Sequence, residues 1–123
     1  MDNESIETFN MGLNAFDDAK FNFNNKRYNT AINRAYYSVF YCARALLIKK
    51  GIQTKTHTGT IHKFGLEYVV NGKFNGEIAS ILSHLFNIRE KSDYTLTFKA
   101  NEELTEIIIN EAEKFIDESE KYL

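Results

Sequence analysis

Apolar residues recur along this chain at steps of three and four, which is the spacing of one face of an α-helix. Nothing alternates with a period of two, as a half-buried strand would. Polar residues, asparagines and glycines separate the periodic segments. We therefore predict helices at about residues 6–20, 27–50, 60–70, 76–91 and 99–121. The sequence indicates an all-α, up-down bundle of four to five helices joined by short loops.

The second predicted helix has the strongest pattern, because it carries two apolar stripes side by side. The stripes comprise Tyr28, Ile32, Ala35, Val39, Cys42 and Leu46, and Tyr36, Phe40, Ala43 and Leu47. A helix that is apolar over so wide a face packs on more than one side. We expect it to be the central helix, ending at Gly51, which can adopt the left-handed conformation of a helix C-terminus.

The segments between the helices are predicted from their turn-forming residues. Asparagines in residues 21–25 favour an interruption after the first helix. Residues 51–59 are predicted to be a polar loop, and residues 92–98 a connector. In the first helix we expect an inward stripe that consists of Ile6, Phe9, Leu13 and Phe16.

Length and composition favour a single domain spanning residues 1–123. Hydrophobic residues make up 43% of the chain and charged residues 26%, which is typical of a soluble globular protein. No apolar run approaches the roughly 18 residues that span a bilayer, and the acidic N-terminus does not resemble a secretory signal. The lone Cys42 excludes an internal disulfide and a cysteine zinc site. We expect a cytoplasmic protein without a cofactor or a metal.

Charge is distributed unevenly along the chain. Residues 20–91 contain twelve basic and three acidic residues, a net charge of +9, whereas residues 99–123 contain three lysines and eight acids, a net charge of −5. Such segregation can present a basic face to a polyanion. Chance differences between solvated helix faces explain it equally well, and the sequence leaves both interpretations open.

A stripe of arginine and tyrosine follows the less apolar side of the second helix. Arg34, Tyr37, Tyr41 and Arg44 are three or four residues apart, so they share one face. Arginine contacts phosphate and tyrosine stacks on bases, which suits RNA binding. The same two residue types are enriched in protein–protein interfaces, so the stripe also fits an interface.

Arg89 occupies an unusual position in the fourth helix. The apolar line through Ile78, Leu82 and Leu85 continues to residue 89, so an arginine stands where the next core residue is expected. A guanidinium is rarely buried without a partner. It requires an acidic side chain, carbonyl groups or an anionic ligand. The nearest acid is Asp93, four residues later, and a structural Arg89–Asp93 pair is one interpretation.

Three stretches, in this order, resemble the HEPN family. Residues 31–41 (AINRAYYSVFY) and 43–47 (ARALL) are similar to its second-helix signature. Residues 55–59 (KTHTG), followed by Phe64, look like the Thr-His-Ser-Gly loop of one HEPN branch. Residues 85–94 (LFNIREKSDY) are similar to that branch's Arg-x-x-x-Asp-Tyr ending. The classical phosphate-loop, GxSxG and HExxH motifs are absent from the sequence.

The resemblance implies a helical bundle that forms a homodimer, with the arginine motifs of both subunits facing a shared cleft. Many HEPN proteins are metal-independent endoribonucleases that act as toxins in toxin–antitoxin pairs. Others bind RNA or nucleotides without cleavage, or serve as partners of small nucleotidyltransferases. The family's catalytic signature is an arginine followed, after four to six residues, by a histidine. Arg89 matches the arginine, but Tyr94, Thr95 and Leu96 stand where the histidine is expected.

This departure leaves three functional hypotheses. Histidine can act as both acid and base near neutral pH, whereas tyrosine is a poor base. The first hypothesis is an RNA- or nucleotide-binding module with Arg89, Asp93, Tyr94 and Arg34 in its cleft; Tyr94 would be an acceptor for nucleotide transfer from a partner nucleotidyltransferase. The second is an endoribonuclease toxin in which Arg89 works with a displaced histidine, His57. The third is a helical interaction protein with a structural Arg89–Asp93 pair.

Overall fold

A computed structural model describes residues 3–123 as an all-α bundle, and no strand occurs within that range. The helices are α1 (Asn3–Asn24), α2 (Tyr28–Lys49), α3 (His57–Phe64), α4 (Gly76–Tyr94) and α5 (Glu102–Glu120). A π-helical segment, Gly65–Val70, continues α3 directly. The predicted fold class is therefore confirmed. None of these helices combines the length and apolar content that a membrane-spanning segment requires.

Helix α2 is central, as its two apolar stripes predicted. It packs against α1, α3, α4 and α5. Thirteen of its 22 residues are buried, and Tyr36, Leu46 and Leu47 have no exposed surface at all. The core is formed around this helix, so any side chain on its remaining polar face lies next to a neighbouring helix or at the edge of the bundle.

Helix α1 approaches α2 closely at Gly12. A Cβ atom on Gly12 would lie 2.9 Å from the carbonyl oxygen of Ser38, so only glycine fits there without a backbone shift. Buried small and hydroxyl residues share this face of α1 with Phe9 and Phe16. The prediction that Ile6 points inward is wrong: it is 42% exposed.

The predicted interruption at residues 21–25 is also wrong, because α1 continues to Asn24. The side chain of Asn22 donates to the Asp18 carbonyl at 2.8 Å, and that of Asn25 donates to the Phe21 carbonyl at 2.8 Å. These amides satisfy carbonyls of the helix instead of breaking it. The turn occurs at Lys26, which has a positive φ of 62°.

Helix α3 begins earlier than predicted, so the polar loop is shorter than residues 51–59. Thr56 caps the helix: its Oγ1 accepts a hydrogen bond from the Gly59 amide at 2.9 Å. His57 is therefore the first residue of α3 and not part of the loop.

Helix α4 extends to Tyr94, three residues beyond the predicted end. The Thr95 amide still donates to the Lys91 carbonyl at 3.0 Å. Asp93 consequently lies one helical turn after Arg89, within reach of its side chain. Helix α5 begins at Glu102, where the Asn101 side chain accepts from the Leu104 amide at 2.8 Å.

Candidate functional site

Arg89 lies on the face of α4 that packs against α2, and it is only 6% exposed. Its guanidinium carbon is 5.0 Å from the ring centroid of Tyr36, 5.5 Å from that of Tyr37 and 5.8 Å from that of Phe86. Cation–π attraction to three rings stabilises a cation that has lost most of its water. The sequence correctly placed Arg89 on the core-facing line of this helix.

Two carboxylates face the Arg89 guanidinium at long range. Nη1 lies 3.6 Å from Oδ2 of Asp93, and Nη2 lies 3.4 Å from Oε2 of Glu90. Charge-assisted hydrogen bonds are usually about 2.7–2.9 Å long. The Nε of Arg89 is buried and has no hydrogen-bond partner among residues 3–123. The guanidinium is therefore neutralised in part, and its Nε keeps an unused hydrogen-bond donor.

Asp93 is held mainly by helix α2. The Asn33 side chain donates a 2.9 Å hydrogen bond to Oδ2 of Asp93. One turn earlier on α2, the Asn29 side chain donates to the Ser92 carbonyl at 3.2 Å. These two hydrogen bonds join the last turn of α4 to α2. The one from Asn33 orients the Asp93 carboxylate without a contribution from Arg89.

His57 joins the same cluster from the start of α3. Its ring is stacked on Phe40 at a centroid distance of 4.5 Å and on Tyr36 at 5.7 Å, and it also contacts Phe86 at 6.0 Å. The Nδ1 atom is 2.5 Å from the Tyr36 hydroxyl. His57 and Arg89 thus share Tyr36, Tyr37 and Phe86 as ring neighbours, although they are 32 positions apart in the chain.

The surroundings of His57 favour its neutral form. Burial lowers the pKa of His57, and the positive charges of Arg89 and Arg44 lower it further, while Glu90 acts in the opposite direction. Burial also raises the pKa of the Tyr36 hydroxyl far above its usual value, and nearby Arg89 offsets this only in part. Tyr36 therefore remains protonated.

The arginine and tyrosine stripe of α2 borders this cluster. Arg34, Tyr37, Tyr41 and Arg44 are all half-buried. The Arg34 guanidinium carbon lies 5.5 Å from the Tyr37 ring centroid, and its Nε is a second buried nitrogen without a hydrogen-bond partner in the described part of the chain. Two arginines therefore contact the ring of Tyr37, one from α2 and one from α4.

The candidate residue Tyr94 and the histidine His84 lie outside this cluster. Tyr94 is 73% exposed at the end of α4, and it makes no ring contact with the other described aromatic residues. His84 pairs with Glu111 of α5 at 3.2 Å, away from Arg89. Within residues 3–123, no group of three or more His, Cys, Asp or Glu side chains is arranged to hold a metal.

Sequence reasoning assigned Tyr36 and Phe40 only to the core and did not recognise Asn33 or Glu90 as part of the site. A buried tyrosine signals more than packing, since its hydroxyl needs a hydrogen-bond partner. That requirement was visible in the sequence. The sequence did not identify His57 as the hydrogen-bond partner of Tyr36, because His57 was expected to lie in a loop.

The structure defines a class of protein: an all-helical bundle domain with a buried arginine and a half-buried histidine between its central helix and the helices that cover it. The family model of the HEPN domain matches residues 7–122, and the chain belongs to the HEPN family. The family resemblance of the sequence is therefore confirmed.

Similar proteins come from archaea and bacteria. A Methanocaldococcus jannaschii protein named "putative toxin" is 45% identical over 105 residues, which cover 85% of this chain and 78% of that protein. A Thermotoga maritima protein named as a UPF0332 protein is 37% identical, over 87% of this chain and 81% of its own length. A second M. jannaschii protein, also named "putative toxin", is 32% identical, over 82% and 69% respectively.

Proposed function

We propose that this HEPN domain binds RNA or a nucleotide through a phosphate group, with Arg89 as the principal anchor. The observation that carries the proposal is the state of the Arg89 guanidinium. It is 6% exposed, its carboxylate neighbours lie at 3.4 and 3.6 Å, and its Nε has no hydrogen-bond partner among the described residues. A phosphate oxygen would be an acceptor of the kind that the Arg89 Nε lacks.

The neighbours of Arg89 suit such a ligand. A guanidinium binds phosphate through two parallel hydrogen bonds. Arg34 and Arg44 add positive charge on the adjacent face of α2, and Tyr37 provides a ring on which a base can stack. With Glu90 and Asp93 counted, the formal charge of this group of side chains is +1. Binding is therefore expected to depend on contact geometry as well as on charge.

The proposal extends to assembly and biological context. Tyr94 and Leu96 are 73% and 101% exposed, beside the end of α4 that carries Arg89. Exposed large apolar side chains next to a charged site suit an interface, and we propose that two copies form a homodimer there.

The names of the M. jannaschii relatives support the proposal that this chain is the toxin of a toxin–antitoxin pair. In that setting a small nucleotidyltransferase would be the antitoxin, and the Tyr94 hydroxyl a nucleotide acceptor.

Fluorescence anisotropy with a labelled oligoribonucleotide at low salt tests the binding proposal. We expect wild-type affinity to fall as salt rises, and Arg89→Gln to weaken binding by about tenfold or more, since hydrogen bonds to charged groups contribute about 1.5–3 kcal/mol. Lys114→Gln, which removes an exposed charge from α5, is the matched control and should bind as wild type. Absence of wild-type binding at low salt contradicts the proposal.

A second candidate function, metal-independent RNA cleavage, is favoured by one observation: His57 packs against the same three rings as Arg89, those of Tyr36, Tyr37 and Phe86. Cleavage without a metal needs a proton-transfer group near the phosphate-binding arginine, and His57 is the histidine in this cluster. Under this hypothesis the protein cleaves RNA in EDTA, and both Arg89→Gln and His57→Gln abolish cleavage. RNA that stays intact across substrates and buffers contradicts it.

A further inference from the structure

We propose that Tyr36 is a positioning residue that fixes His57 in the tautomer with its proton on Nε2, so that His57 offers a hydrogen-bond donor to a phosphate oxygen beside Arg89. The phosphate ligand rests on the proposed function. The tautomer of His57 follows instead from contacts within the chain.

A hydrogen bond joins Tyr36 and His57. The hydroxyl oxygen and Nδ1 are 2.5 Å apart, so one of them donates and the other accepts. Two arrangements satisfy this geometry. Either Tyr36 donates its O–H to an unprotonated Nδ1, or a protonated Nδ1 donates to the tyrosine oxygen. In neutral histidine the first arrangement leaves the proton on Nε2, and the second leaves it on Nδ1.

The burial of Tyr36 distinguishes these two arrangements. Tyr36 has no exposed surface, and the His57 ring is the only acceptor that its hydroxyl reaches among the described residues. If Nδ1 donated, the Tyr36 proton would be buried without an acceptor, which costs about 1–3 kcal/mol. Arg89, which packs against the Tyr36 ring, can only donate hydrogen bonds and offers no alternative. Tyr36 is therefore the donor.

The aromatic neighbours of His57 restrict the orientation of its ring. Phe40 stacks on one side of the imidazole at 4.5 Å, and Tyr37 meets it edge-on at 5.8 Å. With Nδ1 tied to Tyr36, these rings restrict rotation of the imidazole. Nε2 has no hydrogen-bond partner within residues 3–123, and His57 is only half-buried. The Nε2 proton thus remains available to a ligand.

The chemical consequence is a specific role for His57. A neutral imidazole that carries its proton on Nε2 donates to a phosphate or leaving-group oxygen from that atom. Its basic nitrogen, Nδ1, is occupied by Tyr36 and does not accept a proton from a ligand hydroxyl. Arg89 and His57 together would supply donors from two helices to one phosphate group, one charged and one neutral.

Long-range ¹H–¹⁵N NMR of the three histidine rings, recorded without ligand above pH 7, tests the tautomer directly. We expect the His57 signals of the wild type to show a protonated Nε2 and an unprotonated Nδ1. Tyr36→Phe, which deletes one hydroxyl and keeps the ring, should shift His57 toward a mixture of tautomers. Tyr37→Phe removes a neighbouring hydroxyl that does not bond to His57, so it is the matched control and should leave the tautomer unchanged.

A protonated Nδ1 in the wild type would overturn the proposal, and this measurement does not depend on whether Tyr36→Phe folds. An unchanged tautomer in folded Tyr36→Phe would overturn it as well. Titration with the oligoribonucleotide then separates the two proposals. A selective shift of the His57 Nε2 proton, compared with His62 and His84, supports the ligand role. The expected tautomer without any shift, together with no binding by anisotropy, refutes the proposed function and leaves the positioning role of Tyr36 intact.

Discussion

Asn33 of α2 donates a 2.9 Å hydrogen bond to the same Asp93 oxygen that lies 3.6 Å from Arg89. The shorter contact is with the amide, so Asp93 is oriented by α2 and does not depend on the guanidinium. An arginine whose role was to neutralise Asp93 would approach it more closely. This relationship favours an anion-binding role for Arg89 over a purely structural ion pair.

Replacement of Arg89 by methionine separates these roles by its effect on stability. Methionine places an unbranched apolar side chain beside the rings that surround the Arg89 guanidinium, and Asn33 still satisfies Asp93. We therefore expect the free energy of unfolding to change by no more than about 1 kcal/mol, or to rise. Chemical denaturation measures this, with Lys91→Met on the exposed side of α4 as the control. A loss of about 3–5 kcal/mol, typical of breaking a buried pair, would establish the structural role instead.

Replacement of Asp93 by asparagine should strengthen binding of the oligoribonucleotide. Under the proposed function, the Asp93 carboxylate would compete with a phosphate for Arg89, whereas the amide oxygen of the introduced asparagine would still accept a hydrogen bond from Asn33. A partly exposed pair contributes about 0.2–1 kcal/mol, so we expect binding by anisotropy at low salt to be tighter by a factor of about 1.4 to 5. Asp117→Asn, at an exposed position on α5, removes the same charge elsewhere. Equal gains in both variants would show that only net charge matters.

The helical periodicity was sufficient to predict the fold class and the central position of α2, because burial on several sides requires a wide apolar face. The helix ends were harder to predict. Turn propensity placed a break at Asn22, whereas its side chain bonds to the helix carbonyl of Asp18. The cap at Thr56 was missed, although threonine is a favoured N-cap residue.

The sequence indicated one residue of the candidate site, Arg89, but not the contacts that bring the other residues to it. Arg89 could be recognised because a charged residue interrupts an apolar line, which is a local signal. The contact of His57 with Tyr36 joins residues that are 21 positions apart on separate helices. No periodicity encodes such a contact. Its geometry depends on where α3 begins and on how it packs against α2, and these are properties of the tertiary structure.

Replacement of Gly12 by alanine should destabilise the α1–α2 contact. The added Cβ would lie 2.9 Å from the Ser38 carbonyl oxygen and 3.1 Å from the Cys42 sulfur, so the helices must separate. We expect the free energy of unfolding to fall by about 1–3 kcal/mol. Gly65→Ala is the matched control, since a Cβ there meets no atom within 4 Å. It should be neutral or stabilising by up to about 1 kcal/mol, and a similar loss in both variants would contradict the close approach.

Replacement of Arg89 by glutamine should raise the pKa of His57. The positive charge of Arg89 disfavours protonation of the imidazole, second only to burial as a cause of its lowered pKa. An NMR pH titration of the His57 ring protons measures the change. Arg34→Gln also removes a guanidinium from the Tyr37 ring, but Arg34 is not among the charges that shift the His57 pKa, so this pKa should stay unchanged. A His57 pKa that does not respond to Arg89→Gln would mean that the two side chains are farther apart than their shared ring neighbours imply.

Replacement of His57 by glutamine should make the stability of the protein less sensitive to mild acid. The pKa of His57 is lower in the folded state than in the unfolded chain, so the unfolded chain binds the proton first as the pH falls. Wild-type stability is therefore lost as the pH drops through about 6.5, and the loss from this group ends below the folded-state pKa. Its slope cannot exceed the roughly 1.4 kcal/mol per pH unit that one proton allows.

Urea denaturation of wild type and His57→Gln between pH 5 and 7.5 measures this difference. As the pH decreases, the unfolding free energy of the wild type should fall more than that of His57→Gln. His62→Gln, which removes an exposed histidine from the same helix, is the control and should follow the wild type. A wild type and His57→Gln with parallel pH profiles would show that His57 is protonated as easily in the folded protein as in the unfolded chain. That result would contradict its packing among Tyr36, Phe40 and Arg89.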